Sequence, residues 1–390
     1  MTPDAFAALL APPGASALAD ACTSYRTGDE LALVSRLRRT YDAELASTAV
    51  TQAALRHRAV AKFGLDAERM YFTPDGLEQA TRSSVARHRA SRMASSLPGA
   101  TVLDLGCGIG GDLVAMARAG LRVTGIDRDP LAVAVARANL SALGLPGRVA
   151  VGDVVDADLA DYDLVFADPA RRADGRRVFD INAYSPPWSF VTGLLRGTAC
   201  VKVAPGIPHD AIPDSVEAEW VSDSGDVKEA ALWSGALSTA SRRATLLPSG
   251  TTLTQDDAVE PVIRPAGAYL YEPDGAVIRA GLVTAVCALT DGWLLDPRIA
   301  YVSSDELVET ALASAYEVES RLPYQEKALR AWVRERGIGT LEIKKRGIDL
   351  DPAALRKRLA PKGSDAATLV VTRVGRDAVV FACRRISPSA

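Results

Sequence analysis

Apolar residues recur at helical spacing through the first 95 residues. Leu31, Val34, Leu37 and Tyr41 follow one another every three or four positions, with arginines between them. This period places the apolar side chains on one face of a helix. The pattern predicts an N-terminal helical domain over residues 1–95.

Residues 96–250 instead alternate short β-rich runs with helical runs, which is typical of a parallel sheet wrapped by helices. We predict strands over residues 101–105, 122–126, 149–151, 162–167, 199–203, 217–221 and 244–247. The last two lack a long helix between them, so we expect an antiparallel hairpin at the sheet edge. The fold class is therefore α/β, with a Rossmann-like sheet of seven strands.

Residues 251–390 show a different order of predicted helices and strands. Helices are predicted over residues 276–289, 307–314, 325–336 and 352–359, and strands over residues 341–344, 368–373 and 378–383. We interpret this region as a small α+β domain.

Charge separates the last 70 residues from the rest of the chain. Residues 321–390 hold 16 Lys and Arg against 7 Asp and Glu, and the preceding 320 residues hold 29 against 41. The overall net charge of −3 excludes a uniformly basic nucleic-acid coat, but the C-terminal excess favours an anionic partner at that end. With 48% hydrophobic residues, the chain is not wholly disordered.

Cysteine usage indicates a reduced compartment. The five cysteines are far apart, form no CxxC pair and accompany only three histidines. Neither a structural metal site nor a disulfide framework is expected. The start MTPDAF lacks the basic region of a secretory signal, and no stretch is apolar enough to span a membrane. We therefore expect a cytoplasmic protein.

The strongest chemical signal is a glycine-rich turn after the first predicted strand. The run Asp104-Leu-Gly106-Cys-Gly108-Ile-Gly110 lets the backbone take positive φ and approach a ligand closely. With Gly111 as the next residue, Gly106, Gly108 and Gly111 also satisfy GxGxxG, a pattern known from dinucleotide sites. Asp104 argues against a pyrophosphate, because like charges repel, and favours a ligand that carries an ammonium group.

Two more carboxylates end the next two predicted strands. Asp127 lies 21 residues after Gly106, where an acidic residue can bind ribose hydroxyls, and Asp153 can accept from an adenine amino group. Together with Asp104 they predict one pocket at the carboxyl edge of the sheet.

With these motifs in this order, residues 96–250 resemble the class I S-adenosylmethionine (SAM)-dependent methyltransferases. The resemblance implies that Gly106, Gly108 and Gly110 line the methionine end of SAM, Asp127 the ribose and Asp153 the adenine, with S-adenosylhomocysteine as product. In that architecture the helix before the first strand often covers the cofactor. Thr73 and Arg82 are therefore candidate ligands of the methionine carboxylate.

The fourth predicted strand ends in Asp168-Pro169, which is similar to the Asp/Asn-Pro-Pro-aromatic motif of amino-directed methyltransferases. Here Ala170 replaces the second proline and Arg171 replaces the aromatic residue. We take Asp168, Pro169 and Arg171 as candidate catalytic residues. A stacking platform can come from Tyr184 and Trp188, and Arg172 is a further candidate substrate contact.

The segment from Gly339 to Gly347 resembles the THUMP-like domain of some bacterial methyltransferases, whose THUMP relatives bind RNA. Lys344, Lys345 and Arg346 within it are candidate phosphate contacts. The resulting hypothesis is a SAM-dependent methyltransferase acting on a base nitrogen of RNA such as tRNA or rRNA, with a guanine exocyclic amine first. Two alternatives stay open: methylation of a small molecule or protein, and a non-catalytic RNA-binding protein with a vestigial methyltransferase fold.

Overall fold

The computed structural model describes residues 1–171 and 184–387, in which six α-helices precede the first strand. These are α1 (Pro3–Leu10), α2 (Pro12–Ser24), α3 (Glu30–Leu37), α4 (Ala43–Phe63), α5 (Pro74–Gln79) and α6 (Ser83–Ser96). Polar side chains fix where helices begin: Asp42 accepts from the backbone amide of Leu45, and Thr73 from that of Gly76. The helical expectation for this region is thus met.

Two units make up the described chain: residues 1–217 with 230–239, and residues 218–229 with 240–390. The first unit holds the N-terminal helices, which bury an apolar cluster that includes Phe6, Leu18 and Phe72. As to membranes, no single helix among the described residues is long and apolar enough to cross one. Within residues 1–171 and 184–387, one bent pair, α1 with α2 at 86° to each other, meets the requirement by length and composition only.

The first unit is built on a parallel sheet. Its elements are β1 (Thr101–Leu105), α7 (Gly111–Arg118), β2 (Arg122–Asp127), α8 (Pro130–Leu143), β3 (Arg148–Val151), β4 (Leu164–Ala167), β5 (Ala170–Arg171), β6 (Tyr184–Ser185), α9 (Trp188–Leu194) and β7 (Ala199–Val203). The parallel strands run in the order β3-β2-β1-β4-β7. Because the order reverses beside β1, the loops after β1 and β4 diverge and leave a crevice at the carboxyl ends.

The predicted edge hairpin is wrong. After β8 (Glu217–Asp223) the chain forms β9 (Asp226–Trp233), a strand missed in the sequence, and residues 230–233 run antiparallel to β7. In the second unit β10 (Arg242–Leu247) is parallel to β8 and antiparallel to β11 (Thr251–Thr254). The intervening strand β9 explains how residues 217–221 and 244–247 are joined without a helix.

The rest of the second unit is a mixed sheet with helices. Its elements are β12 (Tyr269–Pro273), α10 (Gly275–Ala280), α11 (Val283–Thr290), β13 (Trp293–Asp296), β14 (Ile299–Ser304), β15 (Ala313–Pro323), α12 (Glu326–Glu335), β16 (Ile338–Lys345), α13 (Pro352–Leu359), β17 (Asp365–Val374) and β18 (Asp377–Arg385). The strand order is β13-β14-β12-β15-β18-β17-β16. This is the α+β architecture that we expect for the C-terminal region.

Two local predictions for this unit fail. The helix predicted over residues 276–289 is two helices, because Gly281 takes a left-handed conformation with φ of 75° and ends α10. No helix forms over residues 307–314; residues from Ala313 onward belong to β15, which pairs with β12 and β18 on its two sides. Sheet pairing at long range overrides the local preference there.

Candidate active site

The glycine-rich turn connects β1 to α7 and has the backbone that its composition predicts. Gly106, Gly108 and Gly110 have φ of 83°, 54° and 82°, all left-handed. The amides of Gly106 and Cys107 donate to the Ile126 carbonyl at 2.8 and 3.1 Å, which ties the turn to β2. A β-carbon on Gly106 or Gly108 would enter open space, so the turn leaves room for a ligand at these two positions.

Gly110 has a different reason to be glycine. A β-carbon there would lie 3.1 Å from the β-carbon of Ala136 on α8. Its function is therefore close packing of the turn against a helix, in addition to its positive φ.

Asp104 is a buried carboxylate whose two oxygens have no hydrogen-bond partner among residues 1–171 and 184–387. Only 1% of the residue is exposed. Burial, followed by the negative charges of Asp112 and Asp168, raises the pKa of Asp104 well above its ordinary value. An ammonium group would supply the missing donors and the missing charge. The orphaned carboxylate therefore fits the methionine end of SAM.

Asp127 and Asp153 lie at the carboxyl ends of β2 and β3, on the same sheet edge as Asp104. Asp127 accepts from the amides of Gly108 and Asp129, each at 2.9 Å, so it also shapes the turn. Asp153 is exposed and accepts from the Val155 amide at 3.1 Å. The structure thus brings the three predicted carboxylates and the glycines to one edge.

A buried arginine also lies at this edge, and sequence reasoning gave it no function. Arg89 on α6 is 2% exposed, pairs with Asp112 of α7 at 2.8 Å and has its guanidinium 4.7 Å from the centre of the Phe166 ring. The Thr81 hydroxyl donates to the other Asp112 oxygen at 3.1 Å. Arg89 stands between Arg87 and Arg92 in α6, and only the fold shows that it is the fully buried one of the three.

Asp168 and Pro169 follow β4, at the edge where the glycine-rich turn also lies. Asp168 is ion-paired through Oδ2 with the Lys202 ammonium at 2.5 Å. Lys202 lies on β7 and was not singled out from the sequence. Register explains the pair: Ala167 of β4 is opposite Val201 of β7, so the residues that follow them are neighbours.

The aromatic candidates are brought to this motif by a short antiparallel pair. Arg171 of β5 is opposite Tyr184 of β6. Tyr184 is buried, its hydroxyl accepts from the Ala204 amide at 3.2 Å, and its ring lies 5.3 Å from that of Trp188. For Arg171 only the backbone is described, and Arg172 lies outside the described residues.

The two predicted ligands of the methionine carboxylate have other partners. Thr73 caps α5 through the Gly76 amide at 3.0 Å, and the exposed Arg82 donates to the Ala61 carbonyl at 3.0 Å. Thr81, which lies between α5 and α6, donates a hydrogen bond to Asp112.

In the second unit the predicted phosphate contacts differ from one another. Lys344 pairs with Glu272 and Glu342 at 3.1 and 3.3 Å, and Arg346 lies 3.6 Å from Glu272. Although burial alone would lower it, the carboxylate of Glu272 keeps the pKa of Lys344 raised. Lys345 is exposed. Lys345 therefore presents its charge outward, whereas its two neighbours share theirs with a carboxylate.

The parallel sheet, the ligand-accessible glycine turn and the orphaned carboxylate together define a class I methyltransferase. Residues 102–174 match a methyltransferase domain family, residues 313–385 a family described as THUMP domain-like, and residues 2–59 a domain of unknown function, DUF8688. The fold class and the THUMP-like resemblance are confirmed.

Comparison with full-length proteins identifies the family to which the chain belongs. It is 39% identical over 345 residues to the uncharacterised S-adenosylmethionine-dependent methyltransferase Rv3037c of Mycobacterium tuberculosis, which covers 85% of this chain and 94% of that protein. The chain therefore belongs to this family of SAM-dependent methyltransferases, and SAM is its cofactor.

Two further relatives extend the comparison. A crystal structure from Porphyromonas gingivalis W83, of a protein classed as a methyltransferase, has a TM-score of 0.75 at 21% identity and covers 93% of this chain and all of that one. The 23S rRNA (uracil(1939)-C(5))-methyltransferase RlmD of Acidithiobacillus ferrooxidans is 34% identical over 113 residues, 26% of either chain. The Porphyromonas gingivalis structure supports the fold over nearly the whole chain, whereas the similarity to RlmD covers about a quarter of it.

Proposed function

We propose that the chain methylates a base nitrogen of RNA, such as tRNA or rRNA, with the exocyclic amine of guanine as the first candidate. The observation that carries the proposal is the position of Asp168-Pro169, at the end of β4 and on the same sheet edge as Asp104. When bound, SAM supplies a methyl group on a sulfonium sulfur; the N–CH3 bond would form as the S–CH3 bond breaks in line, leaving S-adenosylhomocysteine, and the methylated amine would release one proton to solvent.

The residues of the chain have mainly to position the acceptor, because a nitrogen lone pair needs little activation. The Asp168 carboxylate and the backbone carbonyl that links it to Pro169 can accept the two hydrogens of an amine. That would direct the lone pair toward the methyl group. Tyr184, opposite Arg171 in the β5–β6 pair, and Trp188, whose ring lies 5.3 Å from that of Tyr184, are candidates for stacking on the base. Arg171 and Arg172 are candidates for contacting base or phosphate.

A nitrogen acceptor is favoured over a ring carbon. Methylation at C5 of a pyrimidine uses a cysteine nucleophile, and the thiolate is the reactive form. Cys107 and Cys200 are both buried, and burial raises the pKa of Cys107 far above that of a free thiol. The sequence from 172 to 183 adds no cysteine to the loop after Asp168. Neither these two buried thiols nor the sequence of that loop therefore supplies a suitable nucleophile, although the partial relative RlmD is named for a uracil C5.

RNA is favoured as the substrate by the second unit. Its match to a THUMP-like family over residues 313–385, the excess of basic residues over residues 321–390 and the exposed Lys345 all suit a polyanion. RlmD is named for an rRNA target, which adds support from a partial relative.

Methyl transfer from labelled SAM tests the proposal. The wild type, Asp168→Ala and the control Asp161→Asn are each incubated with RNA, protein and small-molecule fractions of a strain that lacks the protein. Asp161 is exposed, and its side chain makes no hydrogen bond among the described residues. We expect label in RNA with the wild type and the control, and a loss of about 100-fold with Asp168→Ala.

Each other outcome removes a defined part of the proposal. Equal labelling by Asp168→Ala would refute the function given to Asp168. Label in protein or small molecules alone would refute the RNA assignment. RNA binding without label in any fraction would favour the non-catalytic alternative.

A further inference from the structure

The ion pair between Lys202 and Asp168 is partly shielded from solvent. The Lys202 side chain is 18% exposed and that of Asp168 is 32% exposed. The Lys202 ammonium donates to Oδ2 of Asp168, whereas Oδ1 accepts no hydrogen bond from the described residues. One carboxylate oxygen is therefore fixed by the protein while the other is left for an acceptor.

Lys202 is itself held by the N-terminal helical region. Its ammonium donates to the Thr81 hydroxyl at 3.1 Å, and that hydroxyl donates onward to Asp112 at 3.1 Å. Thr81 is only 8% exposed. A continuous chain of polar contacts thus runs from Arg89 through Asp112 and Thr81 to Lys202 and Asp168.

The segment that carries Thr81 is anchored by a second lysine. Lys62, near the end of α4, donates to the carbonyls of Leu77, Glu78 and Ala80 at 2.7, 2.5 and 3.0 Å. The Lys62 ammonium thus uses its three N–H donors on three backbone carbonyls within residues 77–80. These hydrogen bonds fix the path of the backbone just before Thr81. The N-terminal helices therefore determine where the Thr81 hydroxyl lies.

We propose that Lys202 is a positioning residue for methyl transfer, which holds the Asp168 carboxylate by one oxygen and is held in turn by Thr81. This inference rests on the proposed function of Asp168 toward the acceptor nitrogen. An unrestrained carboxylate at a strand end samples several rotamers, and small errors in the orientation of an acceptor are costly for displacement. The ion pair removes that freedom before the substrate arrives.

Kinetics of Lys202 and Thr81 variants test the inference. Lys202→Met removes the charge at similar length, and we expect kcat to fall about 100-fold while KM for the acceptor and the Kd for SAM, measured by calorimetry, stay within about twofold. Lys202→Arg should recover part of the loss. Thr81→Val should cost about threefold to tenfold, and Thr81→Ser should restore the rate.

A double-mutant cycle separates positioning from a structural effect. If Lys202 acts through Asp168, Lys202→Met should have little further effect on kcat in an Asp168→Asn background. A loss of equal size in both backgrounds would overturn the inference. Lys228→Met is the matched control, because Lys228 also lies on a strand and pairs with an aspartate, Asp226, at 3.2 Å. It should leave kcat unchanged.

The double-mutant cycle uses the RNA, protein or small-molecule fraction that the wild type labels. A wrong RNA assignment would therefore show in the labelling assay and would not affect the test of Lys202. Crystal structures of wild type and Lys202→Met with bound SAM give a readout that needs no turnover. We expect the Asp168 carboxylate to occupy one rotamer in the wild type and to be displaced or disordered in the variant. An unchanged Asp168 in Lys202→Met would refute the positioning function.

Discussion

Replacing Asp104 by asparagine isolates the charge that faces the methionine end of SAM. Both carboxylate oxygens lack a partner among the described residues, and the site is almost wholly buried. A hydrogen bond to a charged group contributes about 1.5–3 kcal/mol. At about 1.4 kcal/mol per tenfold change, Asp104→Asn should weaken SAM binding by about 10- to 100-fold.

The same substitution should stabilise the ligand-free protein at neutral pH. Burial, followed by repulsion from Asp112 and Asp168, raises the folded-state pKa of Asp104 above its unfolded value of about 3.9. The unfolded chain therefore ionises first as pH rises, and the wild type loses stability above about pH 4. Asparagine does not titrate, so the Tm of the variant should exceed that of the wild type at pH 7, and the gap should close toward pH 4.

Calorimetric titration with SAM and thermal melts from pH 4 to pH 8 measure the two effects, with Asp161→Asn as the control for a lost surface charge. Opposite changes, weaker SAM binding with a higher ligand-free Tm, are the expected result. An unchanged Kd, or weaker SAM binding together with a lower Tm, would refute the assignment of Asp104 to the ammonium group.

Three further perturbations have defined outcomes. Gly110→Ala should lower stability by about 1–3 kcal/mol in urea denaturation, because the new β-carbon lies 3.1 Å from that of Ala136 at a positive φ; an unchanged midpoint would contradict this packing. Arg89→Met should cost about 3–5 kcal/mol in the same assay, because it leaves Asp112 without its buried partner, and a neutral result would show that the pair is dispensable. Lys345→Glu should weaken RNA binding and lower the slope of log K against log salt by about one, measured by filter binding; an unchanged slope would exclude a phosphate contact.

The cofactor edge was largely predictable because its signals are local. A strand followed by glycines at fixed spacing, with acidic residues at the next two strand ends, specifies both backbone conformation and chemistry within short segments. Asp104, Gly106 and Asp127 were therefore found from the sequence, and the structure brings them to one edge. Which of these residues contact SAM stays a prediction.

The acceptor side was not predictable in the same way. Lys202 becomes a neighbour of Asp168 only through the register of β4 against β7, and Thr81 reaches Asp112 only because Lys62 fixes the preceding backbone. The Lys202–Asp168 and Thr81–Asp112 contacts join residues 34 and 31 positions apart, and no local pattern encodes them. The missed strand β9 and the misassigned residues 307–314 fail for the same reason, since sheet pairing there depends on distant partners.

The central claim is that this chain methylates RNA through Asp168. Its most direct test compares the modified nucleosides of total RNA, by mass spectrometry, from a strain that lacks the protein and from the same strain supplied with wild type or Asp168→Asn. We expect one N-methylated nucleoside that is lost in the deletion, restored by the wild type and not restored by Asp168→Asn. Identical nucleoside profiles in all strains, or restoration by Asp168→Asn, would contradict it.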